Sequence, residues 1–128
     1  MNDLLAEWIS KAEGDYLVSQ REIRVRKGAN YNAVWFHCHQ VVEEYMKAFL
    51  FNNGIDFPKT HDLIELLELS LPVDASFEFQ RDLLKEMDRY AVRYRYPGVS
   101  ADKEEARLAL IGAKTLRTFL RTKIGLND

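Results

Sequence analysis

Trp35-Phe36-His37-Cys38-His39-Gln40-Val41-Val42-Glu43-Glu44-Tyr45-Met46-Lys47-Ala48-Phe49 is the stretch that decides the fold class. Within it Trp35, Cys38, Val42, Tyr45 and Phe49 recur at steps of three and four, the spacing that puts side chains on one stripe of a helix. This predicts a long helix over residues 30–53, closed by Gly54 as a left-handed stop. On either side of it the chain repeats the same kind of pattern. A helix over residues 3–27 places Leu5, Trp8, Ile9, Ala12, Tyr16 and Ile23 on its apolar side and ends at Gly28. A short one over 60–70 starts with Thr60 as cap and Asp62 in the first turn, and Pro72 stops it.

A fourth helix, starting at residue 74 or 76 and reaching Tyr94, buries Leu83, Met87, Tyr90 and Tyr94. Pro97 lacks a backbone donor and disfavours helical geometry before it, so this helix must end near Tyr96. The fifth starts at Asp102, with Glu105 completing a capping box, and runs to Ile124-Gly125. Its ridge of Ala106, Ala109, Ala113, Leu116 and Leu120 is small at first, which lets a neighbour come close. No segment alternates as a strand does. Short connections favour antiparallel neighbours. The expected architecture is all-α: an antiparallel up-and-down four-helix bundle with an additional short helix, residues 1–128 forming one domain.

With 47% hydrophobic and 30% charged residues, the composition is that of an ordinary soluble protein. A net charge of -2 supplies no overall drive toward nucleic acid, so any such binding needs a local patch. The single cysteine, Cys38, excludes an internal disulfide framework and fits a reducing cytosol, where it acts as a small buried hydrophobe. The N-terminus carries no signal-peptide pattern, and no apolar run approaches the ~20 residues a membrane span requires. A cytoplasmic location is expected.

Two places carry chemistry. Arg93-Tyr94-Arg95-Tyr96-Pro97-Gly98 sets two guanidinium groups and two phenols at a helix end, where the dipole favours cations and where arginine forks suit phosphate. Lys59, Thr60 and His61 surround the start of the third helix, whose free backbone donors attract an anion. If the bundle brings these ends together, Lys47, Lys59, His61, Arg93 and Arg95 line one pocket, and Tyr96 stacks on a base. The competing structural reading satisfies His61 with a backbone carbonyl, pairs Arg95 with Asp62 or Glu43, and packs Tyr96 under the turn. The polar side of the second helix (His37, Gln40, Glu43, Glu44, Lys47) reads as a solvated face with Glu43–Lys47 as a helix pair. His37 and His39 point about 100° apart, and His39 with Glu43 supplies two ligands only, so no metal site is expected. Basic stretches stand at Arg21, Arg24, Arg26 and Lys27, and at Arg107, Lys114, Arg117 and Arg121. Neither supports DNA binding.

The helical frame also carries a resemblance. Gln40-Val41-Val42-Glu43-Glu44-Tyr45-Met46-Lys47-Ala48-Phe49-Leu50 resembles the Q-x-x-E-x-x-x-K-A-x-L signature of HEPN domains (higher eukaryotes and prokaryotes nucleotide-binding). Lys59-Thr60-His61-Asp62-Leu63 resembles that family's K-T-H-D-L element, Arg95-Tyr96-Pro97-Gly98 its R-Y-P-G turn, and Ala12-Glu13-Gly14-Asp15-Tyr16-Leu17 a pattern of its first helix. The resemblance implies an all-α bundle that forms a homodimer and is encoded beside a small nucleotidyltransferase, often as a toxin–antitoxin pair. Some HEPN proteins are ribonucleases with an arginine followed by a histidine, four to six residues standing between them. Here those places hold Asn30, Tyr31 and Asn32 before His37, then Asn32, Ala33 and Val34 before His39, then Gly54, Ile55 and Asp56 before His61. The ribonuclease pair is missing, so no catalytic residue is assigned and RNA is an unsupported ligand.

The expectation is a nucleotide- or phosphate-binding accessory protein, with ATP or GTP as ligand and no required cofactor. The alternatives are an interaction module without a ligand site, and a ribonuclease with a non-standard site.

Overall fold

The computed structural model describes residues 1–126. Five α-helices carry the fold: α1 (Asp3–Glu22), α2 (Tyr31–Asn52), α3 (Leu63–Ser70), α4 (Arg81–Arg93) and α5 (Lys103–Ile124), with a 3-10 segment at Ala75–Gln80. No strand occurs among the described residues. The architecture is the expected helix bundle, with α2 at its centre, packed against α1 and α5 on its flanks and touching α3 and α4.

Because α2 has neighbours on several sides, every residue from Val41 to Leu50 is buried, including Glu43, Glu44 and Lys47. The solvated-face reading of α2 is therefore corrected. An amphipathic pattern normally exposes its polar side. Here α1, α3 and α4 cover it: Glu43 and Lys47 tolerate burial by pairing with each other at 3.0 Å, whereas burial pushes the Glu44 carboxyl up toward its neutral form.

Several boundaries differ from expectation, each for a local reason. Helix α1 stops at Glu22, because the next amides bond three residues back (Arg24 to Arg21, Val25 to Glu22) and the Glu22 carboxylate accepts from the Asn30 amide at 3.2 Å. Helix α3 begins at Leu63, since Asp62 rather than Thr60 takes the cap position and accepts from the Ile64 and Glu65 amides. Thr60 Oγ1 instead accepts from the Asp62 amide. The segment before α4 is a 3-10 coil capped by Asp74, which turns Phe77 into the core between Phe49 and Phe119. Helix α4 itself ends at Arg93, followed by turn-like bonds to Tyr96 and by Gly98 at φ 85°.

The capping box of α5 forms as the sequence foretells: Glu105 N–H donates to Asp102 at 2.8 Å, and the Asp102 amide donates to Glu105 at 3.0 Å. The small ridge of α5 is fully buried at Ala106, Ala109 and Ala113. Glu13 of α1 accepts two bonds from Arg117 at 2.7 Å and one from the Tyr45 hydroxyl at 2.6 Å. Arg121 in turn donates to that hydroxyl at 2.8 Å, so one clamp ties α1, α2 and α5. Arg117 above all, acting against burial, holds the Glu13 carboxyl below its usual range.

Candidate functional site

Leu84, Asp88, Ala91 and Arg95 follow one another at steps of four, three and four, so they share a face of α4 and the turn beyond it. Leu84 and Ala91 are buried, which draws Asp88 into the bundle with them. There its carboxylate accepts from His39 Nε2 at 2.8 Å and from the Leu63 amide at 2.9 Å. The first turn of α3 is thereby tied to α2 and α4. Burial pushes the Asp88 carboxyl up, but the bonds from His39 and the Leu63 amide outweigh it and leave the group below its ordinary range.

On the other side of His39 lies Glu43. Its Oε1 stands 2.9 Å from His61 Nδ1 and 4.0 Å from His39 Nδ1, while Oε2 accepts from Lys47 at 3.0 Å. The result is a continuous polar string, Lys47–Glu43–His61 with His39–Asp88 beside it, that runs from the buried Lys47 and Glu43 out to the exposed His61. Since Nε2–H of His39 donates to Asp88, its Nδ1 is left buried without a hydrogen-bond partner. His61 differs from His39 in exposure: its side chain is 68% accessible, while that of Glu43 is 5%. A buried carboxylate thus fixes one edge of an accessible imidazole and leaves Nε2 to the outside.

These groups open onto a cleft of about 260 Å³ lined by His39, His61, Asp62, Asp88, Ala91, Val92 and Arg95. The lysine–threonine–histidine corner and the arginine–proline–glycine turn therefore meet. Of the six residues expected in one pocket, His61 and Arg95 line this cleft. Lys47 does not: its ammonium is buried against Glu43 and lies 5.8 Å from the Trp8 ring, toward α1. Lys59 is exposed in the loop before α3, and Arg93 lies over the Tyr94 ring at 6.0 Å. Tyr96 stands 64% exposed outside the lining. His61 is held by a carboxylate rather than by a backbone carbonyl, and Tyr96 is not packed under the turn. Arg95 has no ion pair with Asp62 or Glu43 among the described residues.

The α3 N-terminus also behaves differently from expectation. Asp62 and Asp88 already occupy its first amides, so those donors are not free for an added phosphate. Anion attraction in the cleft falls to Arg95 and to protonated His61, opposed by Asp62 and Asp88. With neutral histidines the lining carries one positive and two negative charges.

Asp88, His39 and Glu43 as a connected unit escaped the sequence reading. The available signal was an acid on the apolar stripe of α4 at Asp88, which needs a buried partner to be tolerated. Cys38 is buried, and burial pushes its thiol up to about 12, which makes it a poor nucleophile. Among the described residues no group of three or more His, Cys, Asp or Glu side chains is arranged to hold a metal ion. No helix among them is long and apolar enough to cross a membrane.

A family model described as HEPN domain matches residues 5–123. No curated protein and no solved structure matches the chain.

Proposed function

Because this chain belongs to the HEPN domain family, we propose that it binds the phosphate of a nucleotide in the cleft between His61 and Arg95. One observation carries this reading: a guanidinium and an accessible, carboxylate-held imidazole from segments 34 residues apart (61 to 95) line the same opening. Arginine presents a planar fork suited to phosphate oxygens, and a protonated imidazole adds a donor on the opposite lip. The apolar patch of Ala91 and Val92 gives a base or ribose a surface to lie on, with exposed Tyr96 nearby for stacking. Asp62 and Asp88 offset part of the attraction for an anion, so the contacts a base and ribose make with Ala91 and Val92 favour a nucleotide over free inorganic phosphate.

In this proposal the protein acts as an accessory subunit of a two-gene, toxin–antitoxin-like pair with a small nucleotidyltransferase, and as a homodimer. Arg95→Ala is the deciding variant. ATP or GTP raises the melting temperature of the unaltered protein and leaves Arg95→Ala unmoved; an equal shift in both proteins refutes the site. Co-purification with a neighbour-encoded transferase tests the partner, and a monomer in sedimentation at tens of micromolar contradicts the dimer.

A specific contact favours a second reading. The Glu43–His61 pair holds an imidazole as general acid–base catalysis requires, with one nitrogen fixed and the other facing outward. Arg95 across the cleft suits a scissile phosphodiester. RNA cleavage that is lost in His61→Ala and weakened in Glu43→Gln is the result that distinguishes catalysis from binding.

A further inference from the structure

Arg24 and Arg26 of the first basic stretch and Arg107 and Lys114 of the second, far apart along the chain, line one groove between the end of α1 and the outer side of α5. Its floor is aliphatic: Ile23, Leu110 and Ile111. Arg24 and Arg26 stand on one rim, and Lys103, Arg107 and Lys114 stand on the other. The wider end measures about 580 Å³ and the narrower about 210 Å³, and the two share Ile23, Arg24, Leu110 and Ile111. All five cations are exposed. Arg107 pairs with exposed Glu104 at 3.4 Å, and Arg24, Arg26, Lys103 and Lys114 form no salt bridge among the described residues. Such a concentration is unexpected on a chain whose net charge is -2.

We propose that this groove is a docking site for an acidic amphipathic helix of a partner protein. Three features select that occupant. From Lys103 to Lys114 the α5 rim spans roughly 16 Å, at about 1.5 Å per residue, which matches three turns of a docked helix. An aliphatic floor between two cationic rims complements a helix with apolar anchors at steps of three and four and carboxylates on both flanks. Ile111 is 62% exposed on this floor, an uncovered branched side chain of the kind such an anchor covers.

Single-stranded nucleic acid fits less well. Its bases need open aromatic faces, and the one ring in the groove, Tyr16, is already covered by the Arg117 guanidinium at 4.8 Å. A second copy of the chain does not supply the helix either. The acidic helix α3 buries Leu63, Leu66 and Leu67 in its own core.

The test uses the full chain and a fluorescein-labelled helical peptide of about four turns, with leucines at steps of three and four and glutamates on the flanks. A scrambled peptide of equal composition and a labelled oligouridine serve as comparison probes in fluorescence anisotropy. The amphipathic peptide binds, and the scrambled one binds about tenfold more weakly or worse. Arg26→Glu with Arg107→Glu weakens binding by at least about tenfold, and so does raising salt from about 50 to 300 mM. Ile111→Ser, which removes the aliphatic side chain at an exposed position, also weakens it, while Arg95→Ala binds as the unaltered protein does. Circular dichroism confirms that each variant is folded. Equal affinity for the scrambled peptide, tighter binding of oligouridine, or binding that survives both groove variants overturns the proposal.

Discussion

Removing the Asp88 carboxylate has consequences well beyond α4. In Asp88→Ala, His39 Nε2 loses its acceptor inside the bundle, and the Leu63 amide loses its bond across to α4. A hydrogen bond to a charged group contributes about 1.5–3 kcal/mol, and a helix-start acceptor about 1 kcal/mol. The Asp88 side chain keeps 21% of its surface accessible, so water replaces part of what is lost. A net destabilisation of about 2–4 kcal/mol follows. Near 60 °C an unfolding entropy of about 2.1 cal/mol/K per residue gives roughly 0.27 kcal/mol per degree for this length, so the melting temperature drops by about 7–15 °C.

Differential scanning calorimetry measures that drop directly, with Asp62→Ala as comparator, since Asp62 caps the same helix from an exposed position. The pH dependence has a definite sign. The folded carboxyl lies below its ordinary 3.8, so its stabilisation is complete above that pH and is lost as pH falls through the lower folded value. The difference between the two proteins must therefore shrink below pH 3.8. A loss under about 1 kcal/mol, or one no larger than that of Asp62→Ala, refutes the reasoning that Asp88 joins three helices.

Glu44 behaves in the opposite sense. Burial first, then Asp15 beside it, raises its carboxyl well above its ordinary 4.5, so the folded protein holds a proton that the unfolded chain releases. This contribution to stability falls as pH rises from 4.5 toward the raised folded value, and Glu44→Gln stabilises by on the order of 1–3 kcal/mol near pH 8 with little effect at pH 4, as urea titrations at the two pH values check. At Gly112 an added Cβ meets Met87 Sδ at 3.1 Å and Leu83 Cδ1 at 3.4 Å, both at flexible side-chain ends. Gly112→Ala therefore stays within about 1 kcal/mol of the unaltered protein, helix propensity offsetting the crowding, whereas Gly112→Leu costs about 1–3 kcal/mol in the same titration. Glu13→Ala removes the carboxylate that Arg117 and the Tyr45 hydroxyl share at the junction of α1, α2 and α5, and lowers stability by about 2–3 kcal/mol, more than Glu13→Gln does.

The helices were legible because α2 and α5 repeat apolar residues at helical steps and because Asp102 with Glu105 is a strong local start signal. The ends of α1 and α3 were not, since they depend on contacts from elsewhere: Glu22 reaching Asn30, and Asp88 reaching Leu63. The burial of Glu43, Glu44 and Lys47 was hidden for a similar reason. A polar stripe looks solvated until one knows that other helices cover it. The approach of His61 to Arg95 followed from the placement of helix ends. The exclusion of Lys47 followed from a pairing with Glu43 that the sequence reading had already named, but had placed in solvent.

Histidine Cε1–Hε1 resonances test the phosphate cleft most directly, because His61 lines it while His37 is held by Asp15 at 2.7 Å and does not line it. Titration with a mononucleotide moves the His61 signal, leaves the His37 signal in place, and moves neither in Arg95→Ala. A His61 signal that stays fixed at saturating nucleotide, or one that moves equally without Arg95, contradicts the account.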